Sequence, residues 1–403
     1  MKIQQEKIVY FIVQCLLFLV SPLLSLILCA IYYKEYVSQF FFVLFAFYFG
    51  YQTDVYLDLA NHYNSWLYFY NHGVSLYNFY DEMRHLGSEP YHFIMKGLCF
   101  FFSKSSRFFG GFFAAVYACW FLTFFNKLRP FYMRKMHYFQ MLALCGVVFA
   151  VEYYWYLGMR YWAGVFFFLC FYLKYIFTGN RKYLYISCCA LLFHFAHIII
   201  IICVLATEFL HKFIKLKYII LLISFVYRFF GDSVVYYMMP RIYFLKGILG
   251  SEWYYREESL NSLSNKMLYF REYGNVVYQN RENICLFVLL SIFYLIWRQN
   301  KRFYLKFHKL YTFIIYVWCV VNFVYNGGLT LHERVFKFFI LLLFLFLFLV
   351  LNDERNQKIE KNYFMKGVFI LLICFIIATA VVQQREHLFD LSIWVGNLFT
   401  LLK

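Results

Sequence analysis

Residues 183–210 read YLYISCCALLFHFAHIIIIICVLATEFL, and whether this run crosses a membrane once or turns back decides the topology of all that follows. Basic residues flank it: Arg181 and Lys182 before, Lys212, Lys215 and Lys217 after. Excess Lys and Arg collect in the cytoplasmic loops of membrane proteins, so both flanks belong on one side. They share a side only if the run enters and returns, as a re-entrant hairpin with its tip near His194 and His197. A single span would instead push the basic stretch 298–309 (Arg298, Lys301, Arg302, Lys306, Lys309) outside. Loop charge therefore favours the hairpin over 183–210. Irregular backbone at membrane depth is tolerated only where protein or water surrounds it, so the hairpin implies a cavity.

The rest of the chain supports a membrane setting. Of its 403 residues 64% are hydrophobic and 15% charged, against roughly 25% charged in an ordinary soluble domain; the mean hydropathy is +0.60. Apolar runs near 8–31, 37–51, 107–126, 138–157, 160–178, 217–230, 284–298, 310–326, 335–351 and 364–382 have spanning character. The expected fold is an all-α polytopic membrane protein of about ten transmembrane helices, with re-entrant or interfacial helices, in a single integral membrane domain over 1–403. Residues 91–102 are too short to cross and follow Pro90, so 52–106 reads as an extracytoplasmic loop carrying an interfacial helix. Residues 231–283 form a second large extracytoplasmic loop. The first apolar run is long enough to be a span rather than a cleavable signal.

Composition excludes several classes. The formal charge of +17 is met by the cytoplasmic-loop bias and needs no nucleic acid. Twelve cysteines lie in apolar stretches without a CxxC pair, which argues against a disulfide framework or a zinc site. The load of 55 Phe and 40 Tyr is first a matter of codon bias, and only second a surface for stacking sugars. Glycine-rich nucleotide loops, GxSxG and DxD are absent, which disfavours a soluble nucleotide substrate.

With the hairpin parity, the unusual polar residues collect on the outer side. Arg160 stands in YYWYLGMRYWAGVFFFLCFY (153–172), just after Gly158. A guanidinium in hydrocarbon costs at least about 2.5–3.5 kcal/mol, so the run is two helices meeting at Arg160 or the charge has a task. Either the arginine snorkels to headgroups, or it clamps an anion through bidentate bonds to phosphate. Arg334, after NGGLTLHE, and Arg385 carry the same two readings, with Arg241 and Glu333 as lesser candidates. His194 and His197, three apart, share a helical face and offer a general base. Asp54 and Asp58, in YQTDVYLDLANHYNSW, share a face if helical and can grip sugar hydroxyls or assist proton transfer; loop acidity is the plain alternative. Glu152 is placed to neutralise a nearby arginine. No HEXXH motif accompanies the histidines, and no metal or other cofactor is expected. Phosphate-binding arginines beside sugar-binding acids suit a lipid pyrophosphate that carries an oligosaccharide.

Four stretches, in this order, carry a resemblance: TDVYLDLANHY (53–63), EPYHF (89–93), RYWAGVFFF (160–168) and NRKYLYISCCALLFHFAHIII (180–200), with HER (332–334) as a weaker fifth. Together they resemble the EpsG-like family of exopolysaccharide polymerases, relatives of the Wzy-type O-antigen polymerases. The chain departs from the family pattern at Tyr161-Trp162, where Arg-Gln precedes the alanine, and at Phe195-Ala196-His197, where small hydroxylated residues are common. The resemblance implies a GT-C-like, metal-independent membrane glycosyltransferase of the bacterial inner membrane, with its site facing the periplasm or exterior. Its implied substrate is an undecaprenyl-pyrophosphate-linked oligosaccharide, and its implied associates are membrane lipid, a chain-length regulator and a flippase. On this reading Arg160, Arg334 and Arg385 hold the pyrophosphate, while His194, Asp54 or Asp58 deprotonates the acceptor, with His197, Glu152, Arg241 and Glu333 as supporting residues. The competing classes are a lipid-oligosaccharide flippase, an O-antigen ligase and a membrane acyltransferase.

Overall fold

The computed structural model describes residues 2–52, 63, 67, 90–103, 105–132, 136, 138–150, 159–210, 213–238, 285–291, 294, 301–324, 329–352, 367 and 370. Among these the regular structure is entirely helical, as lipid demands of a chain that must satisfy its backbone internally. Among the described residues four helices are long and apolar enough to cross a membrane: Ser106–Lys127, Arg160–Thr178, Phe307–Val324 and Arg334–Leu351.

The first apolar run is not one span. Helix α1 (Lys2–Val20) ends at Ser21, and α2 (Pro22–Ile31) turns back along it. Proline has no N–H and pushes the residue before it out of the helical region; Ser21 lies extended at φ −153° and its hydroxyl accepts from the Leu24 N–H at 3.4 Å. The two arms are held by a buried hydrogen bond, in which Ser25 Oγ donates to Gln14 Oε1 at 2.7 Å, and toward the surface by the Tyr10 and Tyr32 rings, 5.1 Å apart. A single span over 8–31 is thus corrected to a helical hairpin.

Helix α3 (Tyr36–Gln52) packs against α5 (Ser106–Lys127), with α4 (Pro90–Phe102) on the flank where the sequence predicts a short helix after Pro90. The short turn α6 (Arg129–Tyr132) precedes α7 (Tyr138–Phe149), and α8 (Met159–Thr178) follows. Helix α8 closes on Gly179, whose φ of +70° suits a residue without Cβ. Asn180 then caps α9 (Arg181–Cys188) by accepting from Lys182 N at 3.0 Å. Helix α10 (His197–Leu210), α11 (Ile214–Met238), α12 (Lys301–Val324) and α13 (Leu329–Leu351) complete the bundle. Helix α13 is apolar on every side from Phe338 to Leu351 and correspondingly buried all round at the centre of the core.

The segment 183–210 folds back on itself. Helix α9 leaves the Lys174–Tyr175 end of α8, where Lys174 Nζ lies 4.1 Å from the Tyr183 ring. It tightens into a 3-10 turn over Cys189–Leu192, and the chain bends at His194 beside Tyr161. Helix α10 returns to the first end, where Glu208 meets Lys309 at 2.8 Å and Lys309 also donates to the Tyr175 hydroxyl.

That end gathers the basic residues. Arg129 donates to the Lys34 carbonyl at 3.4 Å and Phe131 packs on Phe177 at 5.5 Å. Phe177 in turn meets Phe307, and Asn352 donates to the Phe131 carbonyl. Several basic residues taken as loop are in fact helical: Lys215 and Lys217 lie in α11, and Lys301, Arg302, Lys306 and Lys309 in α12. Lys217 is buried in α11, its Nζ 3.2 Å from His308 Nε2, and Lys309 sits in α12. Long aliphatic stems and cross-helix partners let these ammonium groups enter the bundle.

This arrangement predicts that cysteines replacing Arg181 and Phe213, in a background without native cysteines, react with an impermeant maleimide from one face. A cysteine replacing Ser105 reacts from the other. Opposite-face labelling of positions 181 and 213 contradicts the fold-back.

Candidate functional site

Tyr161, in the first turn of α8, is the hub at the far end of the bundle from the basic residues. Its ring stacks on the His197 imidazole (centroids 4.9 Å apart, 21° between planes) and meets His194 edge-on at 5.8 Å. The Arg334 guanidinium lies 5.7 Å from the same ring. Three helices are thereby tied together: α8, α10 and α13. All three have their N-termini at this end, so their unpaired N–H groups and dipoles add positive potential there. Arg160, half-buried, precedes Tyr161 directly in α8.

The bend between α9 and α10 is seated on Gly164. A Cβ at that position would stand 2.6 Å from His197 Cε1, 2.8 Å from Phe193 Cβ and 2.9 Å from His197 Nε2. Such distances are not tolerated, so glycine here is what admits the bend. Phe193 stacks on Tyr91 of α4 at 4.3 Å and packs edge-on against Trp120 at 5.8 Å.

Local hydrogen bonds set the two histidines. The Ala196 N–H donates to His194 Nδ1 at 3.0 Å, closing the turn that leads into α10. The His194 carbonyl accepts from the His197 N–H at 3.0 Å and from His197 Nδ1 at 2.9 Å. A carbonyl only accepts, so the His197 proton is on Nδ1. Its Nε2 is buried and makes no hydrogen bond among the described residues, and the same holds for Arg334 Nε. His197 is fully buried, whereas His194 keeps partial exposure.

Of the residues singled out from sequence, Arg160, Arg334, His194 and His197 are described, and Tyr161 links the last three. Glu333 lies in α13, with its side chain outside the described residues. Asp54, Asp58, Glu152, Arg241 and Arg385 lie outside the described residues altogether. Sequence reasoning passed over Tyr161, Gly164 and Tyr91. Tyr91 and Tyr161 sit inside quoted motifs, EPYHF and RYWAG, but in a chain of 40 tyrosines neither stands out. His332, next to Arg334 by one turn position, is buried with its ring parallel to Phe336 at 6.3 Å. Among the described residues no three His, Cys, Asp or Glu side chains come together as a metal site.

A second polar zone runs between α11 and α12. Asn322 Nδ2 donates to Ser224 Oγ at 3.0 Å and Arg228 Nη1 donates to Asn322 Oδ1 at 3.3 Å. These bonds join two helices side by side, a role usual for polar groups inside membranes.

Compared with protein-family models, curated proteins and solved structures, the chain has no match.

The Gly164 seat makes a stability prediction. Alanine in a helix interior ordinarily gains about 0.5–1 kcal/mol over glycine. Here the displaced bend costs about 1–3 kcal/mol, so Gly164→Ala lowers the thermal midpoint of the detergent-solubilised protein. An unchanged or raised midpoint contradicts the close seat.

Proposed function

We propose that this chain is a membrane polymerase of lipid-linked oligosaccharide repeat units, working at the outer face of a bacterial inner membrane. The observation that carries the reading is the Arg334–Tyr161–His197 stack, with His194 at its edge. Segments far apart in sequence meet there: RYWAG supplies Tyr161, LLFHFAH the two histidines, HER supplies Arg334, and EPYHF supplies Tyr91 beneath Phe193. These are stretches that carry the resemblance to EpsG-like polymerases. Two arginines at a convergence of three helix N-termini suit a doubly charged leaving group better than a single carboxylate.

In the proposed reaction the bond between the anomeric carbon of the growing chain and its pyrophosphate oxygen breaks. The electron pair stays on the pyrophosphate, whose charge Arg160 and Arg334 stabilise through fixed donors. The acceptor hydroxyl of the incoming lipid-linked unit forms the new bond to that carbon, and its proton passes to a carboxylate, for which Asp54 and Asp58 are the candidates. No metal is needed where arginines carry the leaving-group charge. Arg385 remains a third pyrophosphate candidate, and a chain-length regulator and a flippase are the partners such a reaction would use.

Purified protein given lipid-linked repeat units should then make products longer than one unit and release undecaprenyl pyrophosphate. Arg334→Ala should slow elongation by about 10²–10³-fold, and Arg334→Lys should not restore it, because an ammonium lacks the planar fork. Arg160→Ala should abolish elongation with expression intact. Full activity in both alanine variants removes the clamp.

A further inference from the structure

The hydrogen bonds at the bend point to a role for His194 that differs from the general base expected of a histidine. A neutral imidazole carries one proton, and the nitrogen that accepts a hydrogen bond is the one without it. Ala196 N donates to His194 Nδ1 at 3.0 Å, so the proton of neutral His194 is on Nε2. An Nε2–H is a donor. It has no lone pair with which to take a proton from a sugar hydroxyl, and protonating Nδ1 instead would set N–H against N–H at the start of α10.

The surroundings agree with a neutral, donating ring. The bend sits at the positive end of α10, and Arg334 lies across the shared Tyr161 ring from it. His197 fixes the geometry from below. Its Nδ1–H holds the His194 carbonyl at 2.9 Å, and its ring is pinned between Tyr161 and Gly164. His197 is fully buried and His194 is not, so His194 is the one of the pair able to reach a ligand.

We infer that His194 is a neutral hydrogen-bond donor to the pyrophosphate of the bound lipid, that His197 is its positioning residue, and that neither takes the acceptor proton. The inference rests on the polymerase reading for its ligand, but the donor itself is set by the bend. A phosphate-rich anion facing Arg160 and Arg334 gains a third, uncharged donor, and the acceptor proton is left to a carboxylate.

Side-chain chemistry separates this role from the two alternatives. Glutamine places an amide N–H near the position of Nε2, whereas asparagine places its amide near Nδ1 and is a good helix cap. Donation from Nε2 predicts that His194→Gln keeps undecaprenyl pyrophosphate affinity and elongation within about tenfold of wild type. His194→Asn and His194→Ala then lose about 10²-fold or more, as for removal of one fixed donor. The acid limb of the kcat/KM profile is the same in wild type and His194→Gln. His197→Ala weakens binding as His194→Ala does, while the double variant is no worse than either. A capping role alone gives the reverse order, with His194→Asn near wild type and His194→Gln impaired, and overturns the inference. A general base gives a loss of about 10²–10⁴-fold in all three His194 variants and removes the acid limb, and this too overturns it. Binding that follows the glutamine-over-asparagine order in a protein that makes no polymer leaves the donor intact and removes only the polymerase reading. Histidine ¹⁵N spectra give a readout without substrate: His194 protonated at Nε2 and not at Nδ1 supports the donor, and the opposite tautomer contradicts it.

Discussion

The Tyr161 ring, stacked on His197 and lying under Arg334, is the contact on which this end of the helix bundle depends. Neither interaction is large. An aromatic pair contributes about 0.5–1.5 kcal/mol beyond its burial, and a desolvated cation–π contact about 2 kcal/mol. What makes them decisive is their position. They join the N-terminal parts of α8, α10 and α13, and the bend that carries both histidines fits only because residue 164 has no side chain. At the opposite end the Glu208–Lys309–Tyr175 contacts hold the returning arm. The segment is clasped at its base and seated at its tip, which fixes the histidine backbone relative to the arginines.

Parallel helices with their N-termini together create an electrostatic problem that an anion resolves. Three helix dipoles and the Arg334 guanidinium over Tyr161 direct positive potential at one region. Placing such charge in an apolar setting is unfavourable unless a partner offsets it. His197 Nε2 and Arg334 Nε, both buried and without hydrogen bonds among the described residues, mark polar capacity not used within the fold. A lipid pyrophosphate presents oxygens to such donors while its polyprenyl tail stays in the bilayer. The proposed chemistry is therefore matched to the architecture: charge at the Tyr161 end, apolar helices along the rest of the bundle.

Much of this could be read from the amino-acid order. The energetic cost of leaving Arg160 mid-span argued for a helix junction there; the structure places it in α8 (Met159–Thr178), and residues 151–158 lie outside the described residues. The fold-back of 183–210 followed from the charges on its flanks, because the orientation rule acts on short loops whatever the helices do. Other features were hidden for physical reasons. The break at Ser21–Pro22 was outweighed by an apolar run long enough to span, although a proline after a serine is a strong start signal for a helix. Tyr161 was invisible among so many aromatic residues, since stacking depends on tertiary placement and not on spacing. The tautomer of His194 could not be read at all, because it is set by a backbone N–H two residues away in a bend whose geometry no periodicity announces. The spans expected near 364–382, and most of that near 284–298, fall outside the described residues, as do the acidic candidates of the loop after α3.

The measurement that bears most directly on an arginine-built anion site at the Tyr161 hub is undecaprenyl pyrophosphate binding to nanodisc-embedded protein by calorimetry. Wild type and an Arg160→Ala/Arg334→Ala double variant of equal helicity are compared. Saturable one-to-one binding in wild type, weakened at least about 100-fold in the double variant, is the result predicted. Equal affinity in the two proteins would contradict it.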